Sequence, residues 1–368
     1  MNPYIFVFAL SFLIYRAYTR RSLTPPAILA AVLTACIHGT HAYNLPFVLL
    51  ITFYALGTAA TKVKHDVKAT LTVSATGAGG AGGDGARGAT QVFANSVVAS
   101  ALTALSAWNA TAGGDGGECF ADQLLMVGVI VNYAAVTADT LSSELGILSR
   151  SGPRLITTSR RCAPGTNGGV SMTGLIAGAC GAGVIAVVSV ALLPWCASWS
   201  LAEKARFAAF ITGMGTAGSL LDSLLGALLQ ASVVDTRTGK VVEAPGGGKV
   251  LVLPSQKRLT VAGELRSRFG KAPETAGAAV GDVGAESVQG QWKEQRAANK
   301  TGKQLEVEVG KEHAHDAPSR RIETGWNILS NNGVNFAMAA LTSVGGMMLA
   351  GWAWYGQPLA VVKEVMGV

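Results

Sequence analysis

The sequence predicts an all-α polytopic membrane protein with about eight transmembrane helices. The composition is 49% hydrophobic and 14% charged, and the mean hydropathy of +0.37 is too high for an ordinary soluble domain of 368 residues. A bilayer core about 30 Å thick requires about 20 apolar residues per helix, and runs of that length recur along the chain. They occupy residues 3–18, 25–41, 45–60, 90–110, 121–140, 169–195, 206–232 and 333–355.

The first two runs differ in how well they fit a span. No basic residue precedes the first run, and Arg16 closes it. This order is the opposite of that in a cleaved signal peptide, so we expect a retained helix. The second run is the weakest, because Pro25 and Pro26 can only open a helix and His41 ends it. The predicted number of spans is therefore seven to eight.

Lysine and arginine residues set the predicted orientation. The loops after the first, third, fifth and seventh runs are basic, whereas the other connecting loops carry almost no basic residue. Because short cytosolic loops carry the excess of positive charge, we expect the basic loops in the cytosol and both chain ends on the outer or lumenal side. The net charge of +7 then reflects contact with anionic lipids of the bilayer and requires no nucleic acid.

Composition divides the chain into three parts. Residues 1–234 hold the first seven runs with their loops, and residues 323–368 hold a final motif and the eighth run. Residues 235–322 are rich in glycine and charge and poor in aromatic side chains. Such a segment cannot bury a core, so we expect a long, mostly disordered cytosolic loop.

Cysteine and histidine spacing predicts neither a disulfide framework nor a metal site. The five cysteines show no paired spacing. His38 and His41 share a helical face, but without a third ligand we expect solvated or capping roles for them. The chain also lacks a Walker A motif, the protein-kinase motifs and a GxSxG nucleophile elbow, which excludes the standard soluble kinases and hydrolases.

Three carboxylates within or beside apolar runs are the candidate catalytic and metal-binding residues, namely Asp139, Glu144 and Asp222. A carboxylate at such a position is costly and by default functional. Asp139 shares a helical face with Ser143 and Gly146. Glu144 lies about 140° away from Asp139 around the helix, so it either faces another neighbour or lies where the helix has ended.

The seventh run repeats this arrangement around Asp222. Gly215, Ser219 and Gly226 lie on the face of Asp222 in a helix otherwise made of leucine, alanine and methionine. Small residues at this spacing more often form a packing seam than an active site. An unpaired carboxylate on that seam, however, requires a cation or a water-filled cavity. Two functions fit: an enzyme with acids at the cytosolic edge, or a carrier whose acids bind a cation or proton along a path.

Basic and amide side chains near the predicted cytosolic ends of the runs are candidates for phosphate binding. Lysines at the end of a span also snorkel to the membrane surface, so both roles remain open for them. A Gly/Asn-rich turn before the sixth run either offers backbone N–H groups to an anion or serves as a flexible cap. The candidates are Lys62, Lys64, Lys68, Arg154, Asn167, Gly168, Asn331, Asn332 and Asn335.

Six motifs, in this order, resemble those of the transmembrane protein 19 family, the domain-of-unknown-function 92 integral membrane proteins. They cover essentially the chain except the long loop, which resembles an insertion. The motifs are TKVKHDVK at 61–68, ADTLSSELG at 138–146, PRLITT at 153–158, PGTNGGV at 164–170, GSLLDSLLG at 218–226 and NNGVN at 331–335.

The resemblance implies the architecture and a reaction class. Plant members of that family include a phytyl phosphate kinase of the tocopherol pathway, which implies phosphoryl transfer to a prenyl phosphate. Arg87 and Asn95 match the family's segment that enters the fourth span, so the resemblance adds them as site residues. Ala138 and Ser330 depart from the pattern, which usually has glycine and aspartate there. Ser330 removes a potential metal ligand, so an inactive scaffold is a third alternative.

The predicted reaction is transfer of a phosphoryl group from a nucleoside triphosphate, ATP or CTP, to a phytyl-like lipid monophosphate. Mg²⁺ suits this reaction because it binds through one or two carboxylates plus phosphate oxygens, here Asp139, Asp222 and, as a third ligand, Glu144. The basic side chains would clamp phosphates and the amides would line the pocket. We expect the protein in the endoplasmic reticulum or another endomembrane.

Overall fold

The computed structural model describes residues 3–74, 86–111, 123–244, 247–250 and 320–359. Within these ranges the chain is mainly a helical bundle, which confirms the predicted class of membrane protein. Most of the predicted long loop lies outside the described residues. The helices are α1 Pro3–Thr19, α2 Pro25–Gly39, α3 Leu45–Lys62, α4 His65–Ala69, α5 Ala89–Thr111, α6 Leu124–Gly146, α7 Met172–Leu192, α8 Leu201–Leu229 and α9 Asn331–Tyr355.

Fewer of these helices qualify as membrane spans than the sequence predicts. Among the described residues, α3, α6, α7, α8 and α9 are long and apolar enough. α1 and α2 have 17 and 15 residues, so they are about 25 and 22 Å long, short of a hydrocarbon core of about 30 Å. α5 has 23 residues, but serine, threonine and amide side chains dilute its hydrophobicity. The predicted count of eight is therefore too high by this measure.

Helix α6 forms the centre of the bundle. Residues 124–138 are all buried, and α6 packs against α3, α5, α7, α8 and α9. A helix that is apolar on every side is expected in such a central position. Where α8 meets α6, a Cβ added to Gly215 would lie 2.9 Å from Ala134 Cβ. The small residues of α8 therefore do form a packing seam, which brings the α8 backbone close to α6.

One end of the bundle collects the basic loops, and we call it the basic end. Lys68, in the short helix after α3, bonds to Glu144 near the end of α6. Arg87, just before α5, bonds to Thr61 near the end of α3. Connections that are distant in the sequence thus meet at the same end, as the alternating charge pattern predicts. That this end faces the cytosol stays a prediction.

Two small β-sheets cover the basic end, and the sequence analysis predicts neither of them. The larger has the order β1-β5-β4-β6, with β1 parallel to β5 and the other pairs antiparallel. The smaller pairs β2 with β3. The strands are β1 Val73–Ser74, β2 Arg154–Leu155, β3 Gly169–Val170, β4 Ser232–Asp235, β5 Val241–Glu243 and β6 Arg320–Thr324. The protein is therefore helical in the membrane but not purely α-helical.

Two expectations about cysteine and histidine need correction. Cys196, between α7 and α8 at the end opposite the basic end, is disulfide-bonded, although the spacing predicted no disulfide; Cys119 lies outside the described residues. Disulfides persist in oxidising compartments, which agrees with an outer or lumenal location for Cys196. His38 and His41 are buried rather than solvated. His38 lies 2.7 Å from the Tyr133 hydroxyl, and His41 Nδ1 accepts the Tyr43 N–H at 3.0 Å.

Candidate functional site

Asp139 on α6 and Asp222 on α8 lie close enough for their carboxylates to repel each other. Each is partly buried, and each lies seven residues before its helix ends at Gly146 or Leu229. That is a depth of about 10 Å from the end of either helix. Measured along their helices, the two acids lie at the same depth.

An amide network links this pair to the helices on either side. The Asn335 side chain on α9 is oriented so that its nitrogen donates to Asp222 Oδ1 at 3.3 Å and to the Asn331 carbonyl at 2.9 Å. In this orientation the Asn335 amide oxygen lies 3.3 Å from Asn95 Oδ1 on α5, so the Asn95 amide must turn its nitrogen towards Asn335 to donate the hydrogen bond that links the two residues. Asn132, buried in α6, donates to the Asn95 carbonyl at 3.1 Å. Asn335, Asn95 and Asn132 thus connect Asp222 on α8 to α9, α5 and α6.

The predicted phosphate clamp contains a buried ion pair. Lys68 Nζ lies 2.6 Å from Glu144 Oε2, and the two side chains are only 12% and 27% exposed. Thr61 donates to Glu144 Oε1 at 3.2 Å and accepts from Arg87 Nη2 at 3.2 Å. Glu144 thus faces the α3–α4 connection, in agreement with its 140° offset from Asp139. We call Thr61, Lys68, Arg87 and Glu144 the clamp cluster.

Burial shapes the electrostatics of the clamp cluster. It lowers the pKa of Arg87, and the negative charge of Glu144 opposes this effect. An arginine keeps its proton under these conditions, so it remains a fixed positive charge beside Glu144. Glu243, at the end of β5, also belongs to this region. Burial and then the charge of Glu144 raise the pKa of Glu243 to about 7, while a hydrogen bond from Thr72 lowers it.

Several other predicted phosphate ligands hold the fold together. Arg154 Nη1 donates to the Ser159 carbonyl at 2.9 Å within its own loop. Asn167 Nδ2 donates to the Ala231 carbonyl at 3.2 Å and ties the loop before α7 to the end of α8. Lys62 and Lys64 are exposed at the basic end. Phosphate binding by these two lysines stays a prediction.

Gly168 has a clear structural role. Its φ is +78°, and a Cβ there would lie 2.8 Å from the Ser223 carbonyl and 2.9 Å from Ala227 Cα. Residues with a side chain rarely adopt this conformation. The loop before α7 therefore packs directly on the turn of α8 that follows Asp222. Phosphate binding by Gly168 stays a prediction.

The final motif opens helix α9. Ser330 is its N-cap, and the Ser330 hydroxyl accepts the Gly333 N–H at 3.3 Å. Aspartate and serine are both preferred at N-caps. Ser330 in place of the usual aspartate thus preserves the capping hydrogen bond. Asn332 is buried beside Asn335, which bonds to Asp222.

The donor set suits a magnesium ion at the paired acids. Mg²⁺ is commonly held by one or two carboxylates while substrate phosphates and water complete its shell. A cation between Asp139 and Asp222 would also offset their mutual repulsion. Glu144 belongs instead to the clamp cluster. Among the described residues, no three acidic, histidine or cysteine side chains are grouped as a metal site, so Glu144 as a third ligand stays a prediction.

Two polar residues near the site were not identified from the sequence. Asn132 lies in the most buried stretch of α6, and the default that marks intramembrane carboxylates as functional would also have marked this amide. Glu243 lies in a segment that was assigned to the disordered loop. Its valine-rich surroundings, Val241 and Val242, were a strand signal.

An apolar pocket lies beside both groups of polar residues. It is lined by α1, α2, α3 and α5. Arg87 of the clamp cluster and Asn95 of the amide network both line it. Its remaining walls are mainly leucine, isoleucine, valine and alanine side chains. The pocket thus connects a hydrophobic space within the bundle to the polar site.

Fold and site together define a polytopic integral membrane protein with paired intramembrane carboxylates beside a buried basic cluster. The chain belongs to the DUF92 family of integral membrane proteins, whose family model matches residues 8–343. It is 34% identical over 252 residues to Protein PGR of Arabidopsis thaliana, covering 66% of this chain and 84% of that protein.

A second relative covers a shorter region. The chain is 40% identical over 105 residues to an uncharacterized membrane protein of Methanocaldococcus jannaschii, covering 28% of this chain and 40% of that protein. No solved structure matches the chain.

Proposed function

We propose that this chain is a phosphotransferase that moves a phosphoryl group from a nucleoside triphosphate to a prenyl, phytyl-like lipid monophosphate. The observation that carries the proposal is the pairing of Asp139 and Asp222 at equal depth near the basic end. Acids at this position, beside buried cations, suit phosphate chemistry at the membrane surface. The resemblance to a family with a plant phytyl phosphate kinase supports the same reaction.

The chemistry needs positioning and charge neutralisation more than a nucleophilic side chain. An oxygen of the lipid phosphate attacks the γ-phosphorus, the bond to the β-phosphate oxygen breaks, and the nucleoside diphosphate leaves. The attacking oxygen is already ionised, so no general base is required. Bound Mg²⁺ would neutralise charge on the transferred group.

Each group of side chains has a role in this reaction. Asp139 and Asp222 would hold the ion, and the amide of Asn335 fixes the rotamer of Asp222. Arg87 would bind a phosphate oxygen, because a guanidinium supplies paired donors to phosphate. Glu144 holds the Lys68 side chain in place within the clamp cluster. The exposed lysines Lys62 and Lys64 would raise the local concentration of nucleotide.

The test is a phosphotransfer assay on purified full-length protein in detergent. Prenyl monophosphates and phosphatidic acid are offered as acceptors, with ATP or CTP as donor. We expect transfer to the prenyl phosphate, and a loss of about 100-fold or more in Asp139→Asn and Asp222→Asn. Asp66→Asn is the matched control, because Asp66 lies at the same end but is fully exposed. Full activity in both site variants would refute the assignment.

A carrier is the second candidate, and one observation favours it. Buried polar side chains continue from the acids towards the middle of the bundle, including Asn132, Thr137, Thr342 and Ser343. Polar groups that line a path across the membrane are typical of transport. The carrier would be favoured if the wild type shows ion or proton flux in proteoliposomes but no phosphotransfer, and if Asp222→Asn abolishes that flux.

The endomembrane location is also part of the proposal. It is tested by localising the tagged full-length chain in cells.

A further inference from the structure

The pocket lined by α1, α2, α3 and α5 combines mainly apolar walls with the cationic side chain of Arg87. Four helices contribute its apolar lining side chains. They include Leu13 on α1, Ala31 on α2 and Phe53 on α3. The polar lining residues are Tyr54, Arg87, Gln91, Asn95 and Ser96. Such a division between an apolar body and a charged end matches a lipid with an anionic headgroup.

We infer that this pocket binds the hydrocarbon chain of a lipid phosphate monoester and that Arg87 faces its phosphate. The inference rests on the proposed function for the reaction and adds to it the location of the acceptor lipid. A guanidinium carries five N–H donors, and Arg87 uses one nitrogen to bind Thr61. Its remaining donors at the apolar pocket suit the oxygens of an anionic headgroup.

The position of Arg87 is built into the fold. Its backbone N–H donates to the Ser22 carbonyl and its carbonyl accepts the Thr24 N–H, both at 3.1 Å. These bonds tie the start of α5 to the start of α2. The side chain is oriented by its bond to Thr61 at 3.2 Å. Arg87 is therefore fixed at the pocket from both its backbone and its side chain.

The depth of the pocket fits part of a lipid chain. From Leu10 to Ala17, α1 lines the pocket over seven residues, which is about 10 Å along the helix. One leaflet of the hydrocarbon core is about 15 Å deep. The pocket therefore holds the part of the chain nearest the headgroup, and the remainder extends into the leaflet.

The outer wall of the pocket faces the bilayer. α1 packs against α2, and its other face exposes Ile5, Phe8, Phe12 and Tyr15. In a membrane this face contacts lipid. A bilayer lipid would therefore lie next to the outer wall of the pocket.

The pocket leads directly to the proposed reaction site. Asn95 lines the pocket and also meets the Asn335 amide that binds Asp222. Arg87 lines the pocket and also belongs to the clamp cluster. A phosphate held at the polar end of the pocket would thus lie between the paired acids and the buried cations.

The test uses a prenyl monophosphate that carries a photoreactive diazirine on its chain, added to the purified full-length protein without nucleotide. We expect the label on peptides of α1, α2 and α3. Leu13→Trp and Ala31→Phe fill the pocket from two different helices and should reduce labelling about tenfold. Phe12→Trp is the matched control, because Phe12 is 54% exposed on the lipid-facing side of α1, and it should label like the wild type.

Further arms identify the ligand chemistry. Arg87→Gln should reduce labelling by the phosphate far more than labelling by the corresponding prenyl alcohol probe. Unlabelled prenyl monophosphate and phosphatidic acid are each added as competitors. The one that reduces labelling more strongly identifies which of these two phosphate monoester lipids the pocket binds. Labelling spread over all helices, or labelling unchanged in both pocket-filling variants, would overturn the inference.

Failure of this inference can be told apart from failure of the proposed function. Asp222→Asn should retain the pocket label while it loses phosphotransfer. If the wild type labels in the pocket but transfers no phosphate, the pocket assignment stands and the reaction is wrong. If Leu13→Trp and Ala31→Phe transfer phosphate with unchanged KM, the reaction stands and the pocket assignment is wrong.

Discussion

Gly168 allows a close contact to be tested quantitatively. Replacing it with alanine imposes two separate costs. The left-handed conformation at φ +78° costs about 1 kcal/mol for a residue with a Cβ. The new methyl would also lie 2.8 Å from the Ser223 carbonyl and 2.9 Å from Ala227 Cα, and such overpacking costs about 2 kcal/mol. We therefore expect Gly168→Ala to lower the free energy of unfolding by about 3 kcal/mol.

Gly152 in the same loop is a matched control. Its φ is +68°, but a Cβ there would meet nothing within 4 Å. Gly152→Ala should therefore cost only the conformational part, about 1 kcal/mol. At about 2 °C per kcal/mol, the melting temperatures in detergent should fall by about 6 and 2 °C. If the two variants melt at the same temperature, the loop does not pack on α8 as described.

Three further predictions concern the polar residues. In a double-mutant cycle of Lys68→Met and Glu144→Gln, the thermal stability should show a coupling of about 2 kcal/mol, because the ion pair is largely buried. Lys64→Met is the control and should have no effect on stability. A coupling near zero would contradict the ion pair. The folded-state pKa of Glu243, about 7, lies above its ordinary value, so its stabilising contribution is complete below about pH 4.5 and is lost as pH rises to about 7, by about 3 kcal/mol at most. Glu243→Gln should therefore flatten the fall in melting temperature between pH 5 and 7, and an identical pH profile would refute the shift. Ser330→Ala should lower the free energy of unfolding by about 1 kcal/mol, whereas Ser330→Asp should retain both stability and phosphotransfer activity. A large gain of activity in Ser330→Asp would mean that a metal ligand is missing in the wild type.

The helices and the acids could be predicted because their signals are local. An apolar run predicts its own helix, and a carboxylate such as Asp139 stands out within it. The angle between Asp139 and Glu144 also follows from helix geometry alone, and Glu144 does face another neighbour, the connection between α3 and α4. The number of spans was less accurate, because length and polarity fall close to the limit in α1, α2 and α5.

The sheets and the partners of the site residues could not be found in the same way. Strand β4 pairs with β6, which follows about 85 residues later, and no local pattern specifies such a partner. The β4–β5 hairpin did have a local signal, since paired valines flank a turn, but the glycine-rich composition of the segment obscured it. The bond between Lys68 and Glu144 depends on how α3 and α6 pack, which only the structure shows.

Single-turnover transfer of the terminal phosphate tests the central claim most directly. Purified wild-type protein is mixed with radiolabelled nucleoside triphosphate, Mg²⁺ and a prenyl monophosphate, and the labelled lipid diphosphate is measured. The paired acids predict rapid transfer by the wild type, transfer slower by about 100-fold or more in Asp222→Asn, and no change in Asp66→Asn. Equal rates in the wild type and Asp222→Asn would contradict a catalytic role for the acid pair.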